Sequence, residues 1–297
     1  MSAATVDVVA STTANGITIE YEDDGSGDPL VLVMGLGEQL TTWPDELVAM
    51  FVDAGFRVIR FDNRDIGLSS EIDWTPPSQV TSVVSDLFGR TPETAYLLRD
   101  MADDTAGLLD ALGVETAHVV GVSMGGMIAQ ELAIGHPERV STLTSVMSNT
   151  GDRTHGKPKP TLVAKMARLG TPTRETAVQR SVDVNAMIAG PHYDAPARRE
   201  LAERNVARSF RPRAIARHTA AVLASPDRTA ALGRLTMPTL VVHGLLDPLV
   251  RPSGGVATAR AVPHSRLLMY PDMAHDLPRP RWEELVAEVR HHADRAA

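Results

Sequence analysis

The feature that most constrains this chain is a repeated alternation. Short runs rich in Val, Leu and Ile are each followed by a longer stretch with helical spacing. The runs are PLVLVMG (29–35), FRVIRFD (56–62), HVVGV (118–122), VSTLTSVMS (140–148), TLVVHG (239–244) and SRLLMY (265–270). PLVLVMG is continuously apolar, as a strand covered by helices on both faces must be. The helical stretches include WPDELVAMFVDAG (43–55), AYLLRDMADDTAGLLDALG (95–113), MGGMIAQELAIGH (124–136) and RWEELVAEVRHHA (281–293). In the first of these Pro44 suits an opening turn and Gly55 a C-terminal cap. ITIEYEDDG (17–25) alternates and ends in turn residues, like a hairpin strand. Strands alternating with helices predict an α/β fold with a mainly parallel sheet and helices on both faces.

The alternation lapses between residues 151 and 235. That stretch opens on GDRTHGKPKP and continues in Ala- and Arg-rich segments. It reads as a helical cap inserted into a core made of residues 1–150 and 236–297. Its basic cluster, ARRELAERNVARSFRPRAIAR (197–217), reads as the solvated face of helices.

Within HVVGVSMGGMIAQELAIGHPERV (118–140), Ser123 stands between Gly121 and Gly125 where a strand gives way to a helix. A side chain exposed at so sharp a corner forces its backbone into strain. The residues two before and two after come too close for a Cβ atom, and glycine removes it. Gly-x-Ser-x-Gly is therefore a steric device for projecting one hydroxyl. The N–H of Met124, at a helix N-terminus, is placed to stabilise an oxyanion formed on Ser123. Phosphate binding fits less well. GVSMGG lacks the Lys-Ser/Thr of a P-loop, and G-x-G-x-x-G is absent.

A serine hydroxyl needs a base, and the base needs an orienting carboxylate. In this architecture the order is Ser, acid, His, each just beyond a strand. TLVVHGLLDPLV puts Asp247 in the loop after one strand, and RLLMYPDMAHDLPRP puts His275 after the last. Asp272 and Asp276 share the loop of His275 and are poorly placed to orient its ring. His243 reads as a hydrogen-bonded, half-buried strand residue, His136 as a helix C-terminal cap, and His291 and His292 as tail residues. No His/Asp/Glu spacing resembles a zinc site, so no metal or cofactor is expected.

Composition removes other classes. The chain has 297 residues and no cysteine, which excludes a disulfide framework, a thiolate metal site and a cysteine nucleophile. The net charge of −8 argues against nucleic acid as a partner. The start, MSAATVDVVASTTANG, does not read as a signal peptide, and no stretch has the length of a membrane span. A soluble, cytoplasmic protein acting on a small molecule is the expectation. Its oligomeric state is not legible.

At these residues the chain resembles the α/β-hydrolase family, from GITIEYEDDGSGDPLVLVMGLG to PDMAHDLPRP. DNRDIGLSS (62–70) is similar to the family's D-x-R-G-x-G-x-S loop, with Asp65 where glycine is usual. VMGLGEQLTTWPDEL, FDNRDIGLSS and AVLASPDRTAALGRLTMPTLVVHG are most like the branch that includes aclacinomycin methylesterase and related bacterial carboxylesterases. The resemblance implies that Leu36 supplies the second oxyanion N–H, although Met34 replaces the histidine common before that glycine. It leaves Asp62 and Arg64 as a charge pair tying down a loop. It implies a cofactor-independent serine esterase with Ser123 as nucleophile, His275 as base and Asp247 as orienting acid. The cap is expected to roof the site with an apolar face from TLVAKMARLG and AVLAS, favouring small to medium hydrophobic esters. Relatives on this scaffold also form peracids or cleave C–C bonds, and a receptor-like binding shell is a further alternative.

Overall fold

A computed structural model describes residues 10–296 of the chain. The reading of the first nine residues as free of a leader lies outside them.

Eight strands form one sheet in the order β1-β2-β4-β3-β5-β6-β7-β8. They are β1 (Ala10–Ala14), β2 (Ile17–Gly25), β3 (Asp28–Val33), β4 (Phe56–Phe61), β5 (Ala117–Val122), β6 (Val140–Val146), β7 (Thr239–Gly244) and β8 (Arg266–Tyr270). From β4 to β8 every neighbouring pair is parallel; of the described strands β2 alone runs the other way, antiparallel to both β1 and β4. β1 has no apolar alternation to announce it in sequence. It pairs with β2 through the turn Asn15-Gly16, where both residues have positive φ (49° and 76°), the twist a two-residue hairpin requires.

The helices on the two faces follow from the pleat of the strands. Val31 and Val33 point into one core cluster with Val119, Met101, Leu108, Ile128 and Leu132. Leu30 and Leu32 point into the other, with Val120, Val122, Phe51, Leu285 and Val289. α3 (Leu98–Ala111) and α4 (Met124–Gly135) cover the first face. α1 (Asp45–Asp53) and α11 (Trp282–Ala293) cover the second, with the short α2 (Gln79–Leu87) outside this pattern. Each fully buried Leu or Phe contributes about 1.5–3 kcal/mol of transfer free energy to this sandwich.

Several boundaries shift for local reasons. α1 starts after Pro44, which remains extended at ψ 132° as the N-cap. α3 starts at Leu98 and not at Ala95, because the Asp100 carboxylate accepts the Leu97 N–H and fixes the first turn there. His291 and His292 lie within α11, not in a loose tail, and His292 is buried.

Between β6 and β7 the chain forms α5 (Pro160–Ala167), α6 (Ala177–Ile188), α7 (Ala195–Arg208), α8 (Ala214–Ala224) and the single turn α9 (Thr229–Leu232); α10 (Ser253–Ala261) follows β7. α6 packs on α7, and α8 packs on α2. Ala221 of α8 enters the first core cluster, and Val222 packs against it. Among the described residues no helix is long and apolar enough to cross a membrane.

Candidate active site

β5, buried along its whole length, ends at Val122, and α4 begins at Met124. Ser123 between them has φ 56° and ψ −119°, a region that non-glycine residues occupy only when their surroundings force them. The forcing contacts are visible at the glycines. A Cβ on Gly121 would lie 2.2 Å from the carbonyl oxygen of Gly125, and one on Gly125 would lie 2.0 Å from that of Val33. Helix and strand are thus in backbone contact around the corner. The Ser123 N–H donates to the Val146 carbonyl at 2.9 Å, which ties the corner to β6.

β5, β7 and β8 are parallel, so the residues that follow them emerge at one edge of the sheet. There the structure brings Ser123, His275 and Asp247 together. Ser123 Oγ lies 2.9 Å from His275 Nε2, and His275 Nδ1 lies 2.8 Å from Asp247 Oδ2. The other carboxylate oxygen of Asp247 accepts the N–H groups of Leu249 and Val250 at 2.8 and 2.9 Å. The carboxyl is buried, and burial alone would raise its pKa. The positive charge available on His275 and hydrogen bonds from His243 and His275 outweigh that, leaving it at about 2. His275 is fixed by its backbone as well: its N–H donates to the Ile188 carbonyl, at the end of α6, at 2.9 Å.

The two residues named for oxyanion binding flank the serine. Met124 opens α4, where no helical carbonyl precedes it to take its N–H. Leu36 belongs to a turn that leans on Ser123, since a Cβ on Gly35 would meet Ser123 Cβ at 3.3 Å. Met34 is buried in the second core cluster, and its carbonyl accepts from Asn63 Nδ2 at 3.0 Å. The loop is therefore held through its backbone at Met34.

His243 is fully buried, not half-buried. Its Nε2–H donates to the Val250 carbonyl at 2.7 Å and lies 3.5 Å from Asp247 Oδ2. It thus braces both the acid and the turn that holds it. Its place at the end of β7, four residues before Asp247 in the following loop, was the signal available in the sequence. Asp272 and Asp276 turn away from the ring of His275. Asp272 pairs with Arg281 and His192, and Asp276 accepts the N–H groups of Ala274 and Gly190. His136 closes α4 and pairs with Asp103.

Two expectations about charge are corrected. Asp62 and Arg64 do not pair with each other. Arg64 forms a double hydrogen bond with Asp104, both at 2.6 Å, while Asp62 accepts the Leu40 and Leu68 N–H groups and pairs with Arg208 at 2.6 Å. The basic cluster is not merely a solvated face either. Arg198 pairs with Glu38, Arg208 with Asp62, and Arg217 with Asp65 and Glu71, while Arg211 donates to the Ser69 carbonyl. Four arginines of the segment between β6 and β7 therefore bond to the loops that follow β3 and β4. Asp65 has φ 70°, a backbone conformation that favours glycine. Here the carboxylate is buried and compensated by Arg217, the Tyr96 hydroxyl and the Ile72 N–H.

No group of three or more His, Asp or Glu among the described residues is arranged to hold a metal ion. A cleft of about 460 Å³ lined by Arg234, Met237, His264 and His292 lies before the starts of β7 and β8, at the edge opposite Ser123.

Residues 28–278 match the family described as alpha/beta hydrolase fold. Rhodomycin D methylesterase DnrP of Streptomyces peucetius is 32% identical over a match covering 91% of this chain and 93% of its own. A 2-hydroxy-6-oxononadienedioate/2-hydroxy-6-oxononatrienedioate hydrolase of Burkholderia vietnamiensis is 30% identical, covering 87% of this chain and 85% of its own. Among solved structures, an esterase from Exiguobacterium antarcticum matches with a TM-score of 0.75 at 19% identity, over 97% of this chain and all of that one.

Proposed function

The chain belongs to the α/β-hydrolase family, and we propose that it hydrolyses carboxylic esters bearing small to medium hydrophobic groups through an acyl-enzyme. Ser123 Oγ attacks the ester carbonyl carbon while His275 Nε2 takes its proton. Asp247 holds the ring with its proton on Nδ1 and stabilises the imidazolium that forms. The carbonyl oxygen becomes an oxyanion and takes hydrogen bonds from the N–H groups of Leu36 and Met124. Collapse breaks the C–O bond, and the alcohol leaves with the proton from His275. A water then gives a proton to His275, attacks the acyl carbon and frees the acid and Ser123.

The observation that carries this reading is the unbroken relay of 2.9 and 2.8 Å from a strained, outward-held serine to a buried carboxylate. Likeness to a methylesterase over nearly the whole chain supports an ester as substrate. Residues 151–235 act as a helical cap on a core of 1–150 and 236–297, and set which esters enter. A second reading, C–C bond hydrolysis at the same serine, is favoured by the Burkholderia relative.

The test is turnover of p-nitrophenyl butyrate and a panel of methyl esters beside a 2-hydroxy-6-oxo dienoate. Ser123→Ala lowers kcat by about 10⁴ to 10⁶ with the fold intact. A fluorophosphonate adds mass to the peptide containing Ser123. Full activity in the alanine variant, with labelling elsewhere, overturns the assignment. Turnover of the dienoate alone moves it to the second reading.

A further inference from the structure

His218 lies in α8, outside the strand ends that carry Ser123, Asp247 and His275, and it is fully buried. Its ring sits between two core loops. Nδ1 accepts the N–H of Gly37 at 3.2 Å, and Nε2 donates to the carbonyl of Arg64 at 2.8 Å. These partners fix the state of the ring. A backbone N–H only donates and a carbonyl only accepts, so the ring is neutral with its proton on Nε2. Burial acts in the same direction, holding the ring below the ordinary histidine range.

Gly37 directly follows Leu36. It has φ +75°, and a Cβ there would meet Ile215 Cγ1, in the same helix as His218, at 2.8 Å. The turn 35–37 therefore abuts Ser123 through Gly35 and α8 through Gly37. The N–H of Leu36 and the N–H of Gly37 belong to successive peptide planes, separated only by the two backbone angles of Leu36. Whatever holds the second plane limits the tilt of the first.

We propose that His218 is a positioning residue for the oxyanion hole, fixing the Gly37 peptide so that the Leu36 N–H stays aimed at the carbonyl oxygen reacting on Ser123. This inference rests on the esterase reading above. His218 itself touches no reacting atom. An interaction of this kind belongs to the transition state, where the oxygen carries charge, more than to the bound substrate. Its loss lowers the rate and the affinity for a charged tetrahedral adduct, while a neutral ligand binds as before.

Two variants separate the two bonds of the ring. His218→Asn keeps an acceptor where Nδ1 stood and loses the contact with Arg64. His218→Gln reaches the place of Nε2, keeps the donor to Arg64 and leaves the Gly37 N–H without its acceptor. In His218→Gln, kcat/KM for p-nitrophenyl butyrate falls by about tenfold to a hundredfold, short of the loss of a whole oxyanion donor. The Ki of n-butylboronic acid, which forms a tetrahedral adduct on serine, rises by the same factor. The Ki of butyramide stays within about twofold, and His218→Asn keeps its rate within about threefold of the parent enzyme. Wild-type rates in both variants overturn the proposal. So does an equal loss in both with boronate and amide weakened alike, since that is the signature of disturbed packing. Undiminished turnover by Ser123→Ala would remove the esterase reading itself, whereas an inactive Ser123→Ala beside a normal His218→Gln removes only this inference.

Discussion

Asp247→Asn exchanges one oxygen for an NH₂ group at a buried site, and the surroundings dictate how the amide must lie. Oδ1 of Asp247 receives the N–H groups of Leu249 and Val250 at 2.8 and 2.9 Å. Two donors demand an oxygen, so the amide turns its NH₂ toward His275 Nδ1, where Oδ2 had been at 2.8 Å. A donor facing Nδ1 requires a lone pair there, and the ring proton moves to Nε2. The ring then presents N–H to Ser123 across the 2.9 Å gap and cannot accept its proton. The base is lost without any atom moving far. On the proposed mechanism the expected fall in kcat is on the order of 10⁴, as for the same exchange in Ser-His-Asp enzymes. At 1.36 kcal/mol per decade this is about 5 kcal/mol of transition-state stabilisation. Initial rates of p-nitrophenyl butyrate hydrolysis measure it directly. A parallel pH series tests the electrostatics. The Asp247 pKa is depressed from 3.8 to about 2. The ionised carboxylate therefore stabilises the fold fully above pH 4, and that stability is lost as pH falls toward 2. A shift of this size is worth roughly 2 kcal/mol. The gap in urea stability between parent and Asn variant should narrow by about that much between pH 5 and pH 2. A variant within tenfold of the parent kcat, or one whose structure shows NH₂ facing Leu249 and Val250, refutes the reasoning.

Other perturbations probe the scaffold. Arg217→Leu strips Asp65 of its buried cation while the Tyr96 and Ile72 contacts remain, and it should cost about 3 kcal/mol in urea unfolding. Asp65→Gly restores the usual family residue and relieves φ 70°, yet it should destabilise by roughly 2 kcal/mol, because it leaves Arg217 and Tyr96 short of a partner; calorimetry gives the sign. Gly125→Ala should yield no correctly folded enzyme in soluble expression, since its Cβ would lie 2.0 Å from a backbone oxygen. If residues 151–235 govern selectivity, Met166→Ala and Leu169→Ala should reorder a panel of esters more than they change kcat for the smallest, as parallel rate measurements would reveal.

What could be read before folding was local or topological. The steric demand around Ser123 is written within five residues, and the rule that strand ends share one edge points to the loops after β7 and β8 for Asp247 and His275. Buried strands such as HVVGV carry their environment in their composition. The destinations of the arginines do not. Arg208 meets Asp62 and Arg217 meets Asp65 across about 150 intervening residues, and an Ala/Arg-rich helix looks the same whether its charges face water or a buried carboxylate. Asp62 and Arg64 lie two apart, but Arg64 already belongs to the turn after β4 and each side chain finds its partner on another element, so proximity in sequence misled there. His218 carried no signal at all. Its partners are backbone groups, and a backbone N–H has no residue type to betray it.

The arginine contacts also bear on how this protein can be recombined with its relatives. Arg208, Arg211 and Arg217 answer Asp62, Ser69 and Asp65 individually, so the donor helices and the accepting loop behave as lock and key. A chimera that imports only the helices of another hydrolase would strand Asp62 and Asp65, both wholly buried, without their cations. The transplantable unit is discontinuous: residues 62–71 must travel with residues 195–218, and a crossover point placed anywhere between those segments separates a matched pair.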